Sequence, residues 1–189
     1  MSTSKVLMTP DTALVFAKSG YTGGTNRTLG AQTHLLDMIG LTTGQARAAT
    51  KADLGASHAE EYSVDMEMEM ATDPVDGETW DIYWYESHIV TAAVGNLGGT
   101  TGVDADYAGY DTLTLAMSLR HLIFIGSFVM GENNTADGVQ IGHVGFFSPT
   151  ERWGGIVAHN NTSDTSFATD SNEMAIRIRP RVPDIQAAA

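Results

Sequence analysis

From Tyr62 to Met70 two kinds of residue alternate without a break: Tyr62, Val64, Met66, Met68 and Met70 on one parity, Asp65, Glu67 and Glu69 on the other. In an extended strand successive side chains point to opposite faces, so this period puts one face in a core and the other in water. The same period returns near the C-terminus, where Met174, Ile176 and Ile178 alternate with Ala175, Arg177 and Arg179. Half-buried strands that far apart in sequence belong to antiparallel sheets with one face packed inward. The expected class is all-β, a jelly-roll-like antiparallel β-sandwich. Val64, Met66, Met68, Ile82, Trp84, Ile176 and Ile178 are its expected core, with Glu67 and Glu69 in water because burying them unpaired is prohibitive.

The remaining strands are marked by turn chemistry. Asp73-Pro74-Val75-Asp76-Gly77 separates 62–71 from 79–88, where Trp80, Ile82 and Trp84 share a face, and predicts a hairpin. Residues 95–110 read as a long loop with five glycines, and 119–130 as a central strand, apolar on both faces. Strands are expected over 139–147, 153–160 and 173–182, and Leu113, Ala116, Met117 and Arg120 leave a helix over 111–121 as the alternative to strand there. Residues 1–58 differ in texture: a short strand over 12–17, a Gly, Thr and Asn-rich stretch over 19–30, and barely two helical turns over 34–39. The expected division is an extended N-terminal arm, 1–58, and a sandwich domain, 59–189, the arm reaching across the sandwich or to a neighbour.

Charge and composition narrow the function. The 189 residues carry 23 acidic and 10 basic side chains, a net charge of −13, which opposes any surface that tracks nucleic-acid phosphates. Cysteine is absent, so there is no disulfide framework and no thiolate metal site. Lys5 followed by Val6-Leu7-Met8 and Thr9-Pro10 is too short for a secretion signal, and the apolar run 122–130, broken by Gly126 and Ser127, falls short of the ~20 residues a membrane span needs. A soluble protein made in the cytoplasm, without membrane contact, is the expectation.

Catalytic patterns fail one by one. Gly95-Asn96-Leu97-Gly98-Gly99-Thr100-Thr101-Gly102 lacks the lysine and hydroxyl ending of a phosphate loop. No Gly-x-Ser-x-Gly elbow occurs, and the six histidines lack the helical i, i+4 pairing of zinc hydrolases. Asp104, Asp106 and Asp111 are hard-oxygen candidates for a calcium-bridged loop, but their spacing departs from the twelve-residue calcium loop and its closing Glu is missing, which favours an acidic surface loop. No enzyme activity, no cofactor and no metal are expected. Trp80, Trp84, Tyr83, Tyr85 and Trp153 suit a sugar-stacking platform, although Trp80 and Trp84 fit the core better and Tyr83 and Tyr85 an interface. Arg177, Arg179 and Arg181 form a basic stripe on one strand face, suited to an acidic patch on a neighbour or, equally, to acids of their own domain.

Four stretches carry a likeness to a known group. They are Ala46-Arg47-Ala48-Ala49-Thr50-Lys51-Ala52-Asp53-Leu54-Gly55, Leu122-Ile123-Phe124-Ile125-Gly126-Ser127, Val144-Gly145-Phe146-Phe147-Ser148-Pro149-Thr150-Glu151-Arg152-Trp153-Gly154, and Arg181-Val182-Pro183-Asp184-Ile185-Gln186. Across roughly 45–186 the chain resembles small virion structural proteins of tailed bacteriophages, among them capsid decoration or cement subunits. The resemblance implies a structural protein on the capsid surface, in contact with the major capsid protein and with copies of itself as a trimer, and it carries over no catalytic residue. Neck or tail placement, or a carbohydrate-binding module of a receptor-binding apparatus, are the alternatives.

Overall fold

The computed structural model describes residues 5–10, 12–23, 28–131, 138–166 and 173–186. Its strands are β1 (Lys5–Pro10), β2 (Leu14–Ala17), β3 (His34–Leu35), β4 (Ala46–Ala48), β5 (Ala52–Asp53), β6 (Glu61–Glu69), β7 (Thr79–Ser87), β8 (Ala105–Asp106), β9 (Ile123–Val129), β10 (Val139–Phe147), β11 (Trp153–Asn160) and β12 (Ala175–Gln186). One sheet runs β10-β6-β12-β2-β3, with β1 also on β12; the other runs β8-β4-β11-β7-β9, with β5 also on β11. Among the described residues only the β2–β3 pair is parallel. The two sheets make an all-β sandwich.

Long alternating strands dictate how the sheets meet. Val64, Met66 and Met68 of β6 and Trp80, Ile82 and Trp84 of β7 all belong to one fully buried cluster, together with Ile176 and Ile178 of β12. The expected hairpin is not there: β6 pairs with β10 and β12, whereas β7 pairs with β9 and β11. Residues 70–78 instead carry the chain from one sheet to the other. A hairpin would lay the two apolar stripes side by side on one surface, while this crossing turns them toward each other and buries both. Trp84 shows the result, with its indole 5.0 Å from the Phe147 ring and 6.4 Å from that of Phe16, rings that β10 and β2 bring from the opposite sheet. Gly154 makes room for it, since a Cβ there would sit 2.5 Å from the indole.

At one side the sandwich closes backbone to backbone. A Cβ on Gly126 of β9 would lie 2.4 Å from the Val144 carbonyl oxygen, and one on Gly145 of β10 would lie 2.5 Å from that of Ile125. Only glycine permits this approach. β9 is accordingly an edge strand and shorter than expected, because Leu119–His121 forms a 3-10 turn after the short helix α1 (Leu115–Ser118), in line with the helical alternative over part of 111–121. Residues 34–39 hold β3 and extended chain rather than helical turns.

Two further expectations are corrected. The N-terminal segment is threaded into the sandwich: β2 and β3 join one sheet, β4 and β5 the other, and Phe16, Leu36, Met38, Leu41 and Ala49 lie in the main core. Each short element contributes only one or two core side chains, so no period announces them. Glu67 and Glu69 are buried as well, and part of the stretch after β2 folds over Glu67 on the outer face of β6. There Val15, Ala17, Tyr21, Leu29 and Ala175 form a small cluster, and the Tyr21 hydroxyl donates to Glu67 Oε2. The cost of burying Glu67 is offset by that charge-assisted bond. Burial, and next the Glu67 contact, push the Tyr21 hydroxyl up to about 12.

Deleting residues 1–30 removes β1, β2 and the fully buried Phe16. Loss of one buried Phe alone costs about 3–5 kcal/mol, against a total stability of about 5–15 for a domain. The truncated protein is expected to lose cooperative thermal unfolding by circular dichroism; an unchanged melting curve would return these residues to the status of an arm.

Candidate functional site

Two surface features stand out, and both lie on the sheet that contains β7. The first is the loop 88–104. Its backbone is tight: Gly102 has φ +67°, and a Cβ there would fall 2.0 Å from the Ala92 carbonyl oxygen. The Asn96 side-chain amide donates to Ala92 O at 2.7 Å and Thr100 O at 2.8 Å. Lys51, between β4 and β5, closes the structure: its three N–H donors are shared among Ser87 Oγ (2.8 Å) and the carbonyls of Ile89 (2.9 Å), Thr91 (2.6 Å) and Val94 (3.0 Å). An ammonium surrounded by carbonyls behaves like a bound cation that the chain supplies itself. The loop so held exposes Ile89, Val90, Val94, Leu97 and Val103, with Val90 at 67%.

The second feature is a groove of about 790 Å³ on the outer face of the same sheet. Residues 97–122 cover part of this face, where Tyr85, Tyr107, Leu119, Leu122, Val157, Ala46 and Ala48 form a second buried cluster. The groove opens where that cover ends. Its wall is Thr114, Leu115, Ala116, Leu119, Arg120 and Leu122; its floor holds Asp81 and Tyr83 of β7, Phe124 of β9 and His159 of β11. Register puts Ser127, Asp81 and His159 side by side across three strands. Ser127 Oγ donates to Asp81 Oδ1 at 2.6 Å, so this hydroxyl steadies the carboxylate and is not aimed at an imidazole. Tyr83 and Phe124 rings lie 5.2 Å apart at 56°, and Phe124 is 54% exposed. Burial lowers the His159 pKa, with Asp81 opposing, and burial raises that of Tyr83, with Asp81 adding to the effect.

The residues singled out from sequence fall in several places. Tyr83 is in the groove, but Tyr85 is fully buried, its hydroxyl donating to Ala49 O at 3.1 Å. Trp80 and Trp84 are core, and Trp153 lies under the Arg152 guanidinium at 4.9 Å. Asp104 and Asp106 both pair with Arg47, at 2.6 and 2.9 Å, while Asp111 sits exposed at φ +51°. Among the described residues no group of three or more His, Asp or Glu is placed to hold a metal ion.

Two of the three stripe arginines meet acids of their own domain: Arg177 pairs with Asp65 at 2.7 Å, and Arg181 with Glu61 while lying over the Phe146 ring at 4.9 Å. Arg179 makes no ion pair among the described residues. Phe124 and Lys51 were not singled out from sequence. Phe124 reads there as one more residue of a doubly apolar strand, and Lys51 is bound chiefly by carbonyls, which every residue has.

No protein-family model matches the chain, and no curated protein matches its sequence.

Replacing Lys51 by Met keeps the stem and removes the ammonium donors, so that Thr91 O loses its Lys51 bond and Ile89 O and Val94 O keep only the Ser87 hydroxyl as a side-chain donor. A loss of about 1–3 kcal/mol is expected in denaturant unfolding, with new proteolytic cuts confined to 88–102. Asp65 supplies a pH test. Burial pushes its carboxyl up, but hydrogen bonds from Arg177 and His143 outweigh that and leave the folded pKa below the usual value. A depressed acid stabilises the fold above the unfolded-state pKa near 3.8 and loses that effect as pH falls through the folded value. Asp65→Asn should therefore flatten the acid limb of stability against pH below about pH 5.

Proposed function

We propose that this chain is a non-enzymatic structural subunit of a virion, decorating and stabilising a capsid of the tailed-bacteriophage kind through contacts with the major capsid protein and with sister copies. The observation that carries the reading is the loop 88–104, which is rigid and apolar at once. Large aliphatic side chains exposed together mark interaction surfaces, and a loop already fixed in its bound shape loses little entropy on docking. Ile89, Val90 and Val94 sit on the very stretch that Lys51 holds. Full burial of one such side chain contributes about 1.5–3 kcal/mol, so a few of them suffice for a stable contact.

Two further facts support it. The resembling segment 46–55 contains Lys51 itself, so the likeness to virion proteins includes the residue that builds the loop. The net charge of −13 works against binding to nucleic acid and against aggregation of particles.

Val90→Glu puts a charge on the most exposed of these side chains and should alter folding stability by no more than about 0.5 kcal/mol. Co-sedimentation with assembled capsids, or self-association in sedimentation velocity, should fall at least about tenfold. Unchanged attachment of the variant to particles and to itself would remove the loop from any assembly role.

A further inference from the structure

We propose that the groove over Tyr83, Asp81, Phe124 and His159 is a saccharide site that receives a neutral hexose ring. The inference stands on the groove alone and does not rest on the assembly reading.

The lining selects by exclusion. Phe124, Tyr83, Leu115, Leu119 and Leu122 give an apolar wall and floor, yet the floor also holds the polar neighbours Asp81 and His159, with Ser127 beside Asp81 on the next strand. A purely apolar ligand would strip water from Asp81 and His159 and return no hydrogen bond, which is costly. An anion meets Asp81 on the floor, and a cation meets Arg120 on the wall, a residue with no ion pair among the described residues. A ligand that satisfies the whole surface is uncharged, has one apolar face and carries hydroxyl groups on its rim. A pyranose has that form. Its C–H face stacks on the half-exposed Phe124 ring, one rim hydroxyl donates to Asp81, and another accepts from Arg120.

The floor is also preorganised. Ser127 fixes one Asp81 oxygen at 2.6 Å, and Asn161 Nδ2 approaches the other at 3.5 Å, so the carboxylate is oriented before any ligand arrives. Tyr83 props the Phe124 ring from the side. At about 790 Å³ the space fits one or two sugar rings and falls in the usual range of small-molecule sites.

The test uses the full chain, labelled and applied to a glycan array, followed by calorimetry with the glycan that binds best. Binding to neutral hexose-terminated glycans is expected, with affinity reduced at least about tenfold by Phe124→Ala and by Asp81→Asn, while circular dichroism stays unchanged. Because Phe124 is half exposed, its truncation spares the core. Three results would overturn the proposal: no glycan bound, a bound glycan indifferent to both substitutions, or binding restricted to anionic glycans and abolished by Arg120→Ala alone. Loss of capsid attachment in the Val90→Glu protein with intact sugar binding, or the reverse, separates the fate of the two readings.

Discussion

Everything else in the molecule depends on the apolar face of β6 meeting that of β7 across the core. Met66 and Met68 on one side and Trp80 and Trp84 on the other are completely buried. Turning the chain over between them, through 70–78, fixes which strand belongs to which sheet. It also decides that Asp81 and Tyr83 point outward on β7, where the groove forms, and that Ser87 and the loop after it begin at the end of that strand. The two indoles have a cost: Trp80 and Trp84 each bury an N–H without a hydrogen-bond partner among the described residues. Volume and aromatic contact outweigh it here, as the ring contacts of Trp84 with Phe16 and Phe147 indicate.

The parts legible in the sequence are those in which one element carries its own pattern. β10 and β11 lie where expected, and the seven side chains assigned to the core from their alternation are all buried. What stayed hidden depends on partners distant in sequence. Glu67 looked solvated because Tyr21, its hydrogen-bond donor, is 46 residues away. Phe16, Leu36, Met38 and Leu41 looked like the scattered apolar residues of an arm, because short strands and extended turns bring them to the core singly. Of the site residues, Tyr83 was visible as the outward member of an alternating pair, whereas Phe124 needed the knowledge that β9 is an edge.

The two surface features differ in kind. The loop gains its shape from the half-buried Lys51 ammonium and presents several large aliphatic side chains, Val90 foremost. The groove mixes hydrocarbon with a carboxylate, an imidazole and a guanidinium, and its selectivity comes from polar groups that any occupant must satisfy. Both are carried by β7 and the strands beside it, while the opposite sheet holds the buried Glu67 and the Asp65–Arg177 pair on its outer face. One sheet thus carries both proposed contact surfaces, and the other carries the buried Glu67 and the outer-face ion pair.

The placement of β12 has a consequence for how the protein comes into being. This last strand is not at an edge: β6 flanks it on one side, β1 and β2 on the other. On the ribosome, therefore, the sheet cannot close until residues 175–186 have emerged, however long the earlier strands have waited. During that interval β2 and β6 each present a bare edge and a methionine-rich or aromatic face, the kind of surface that holdase chaperones bind and that sister chains on one polysome can mispair. One segment thus joins residues 5–17 and 61–69 into a single sheet at the same moment.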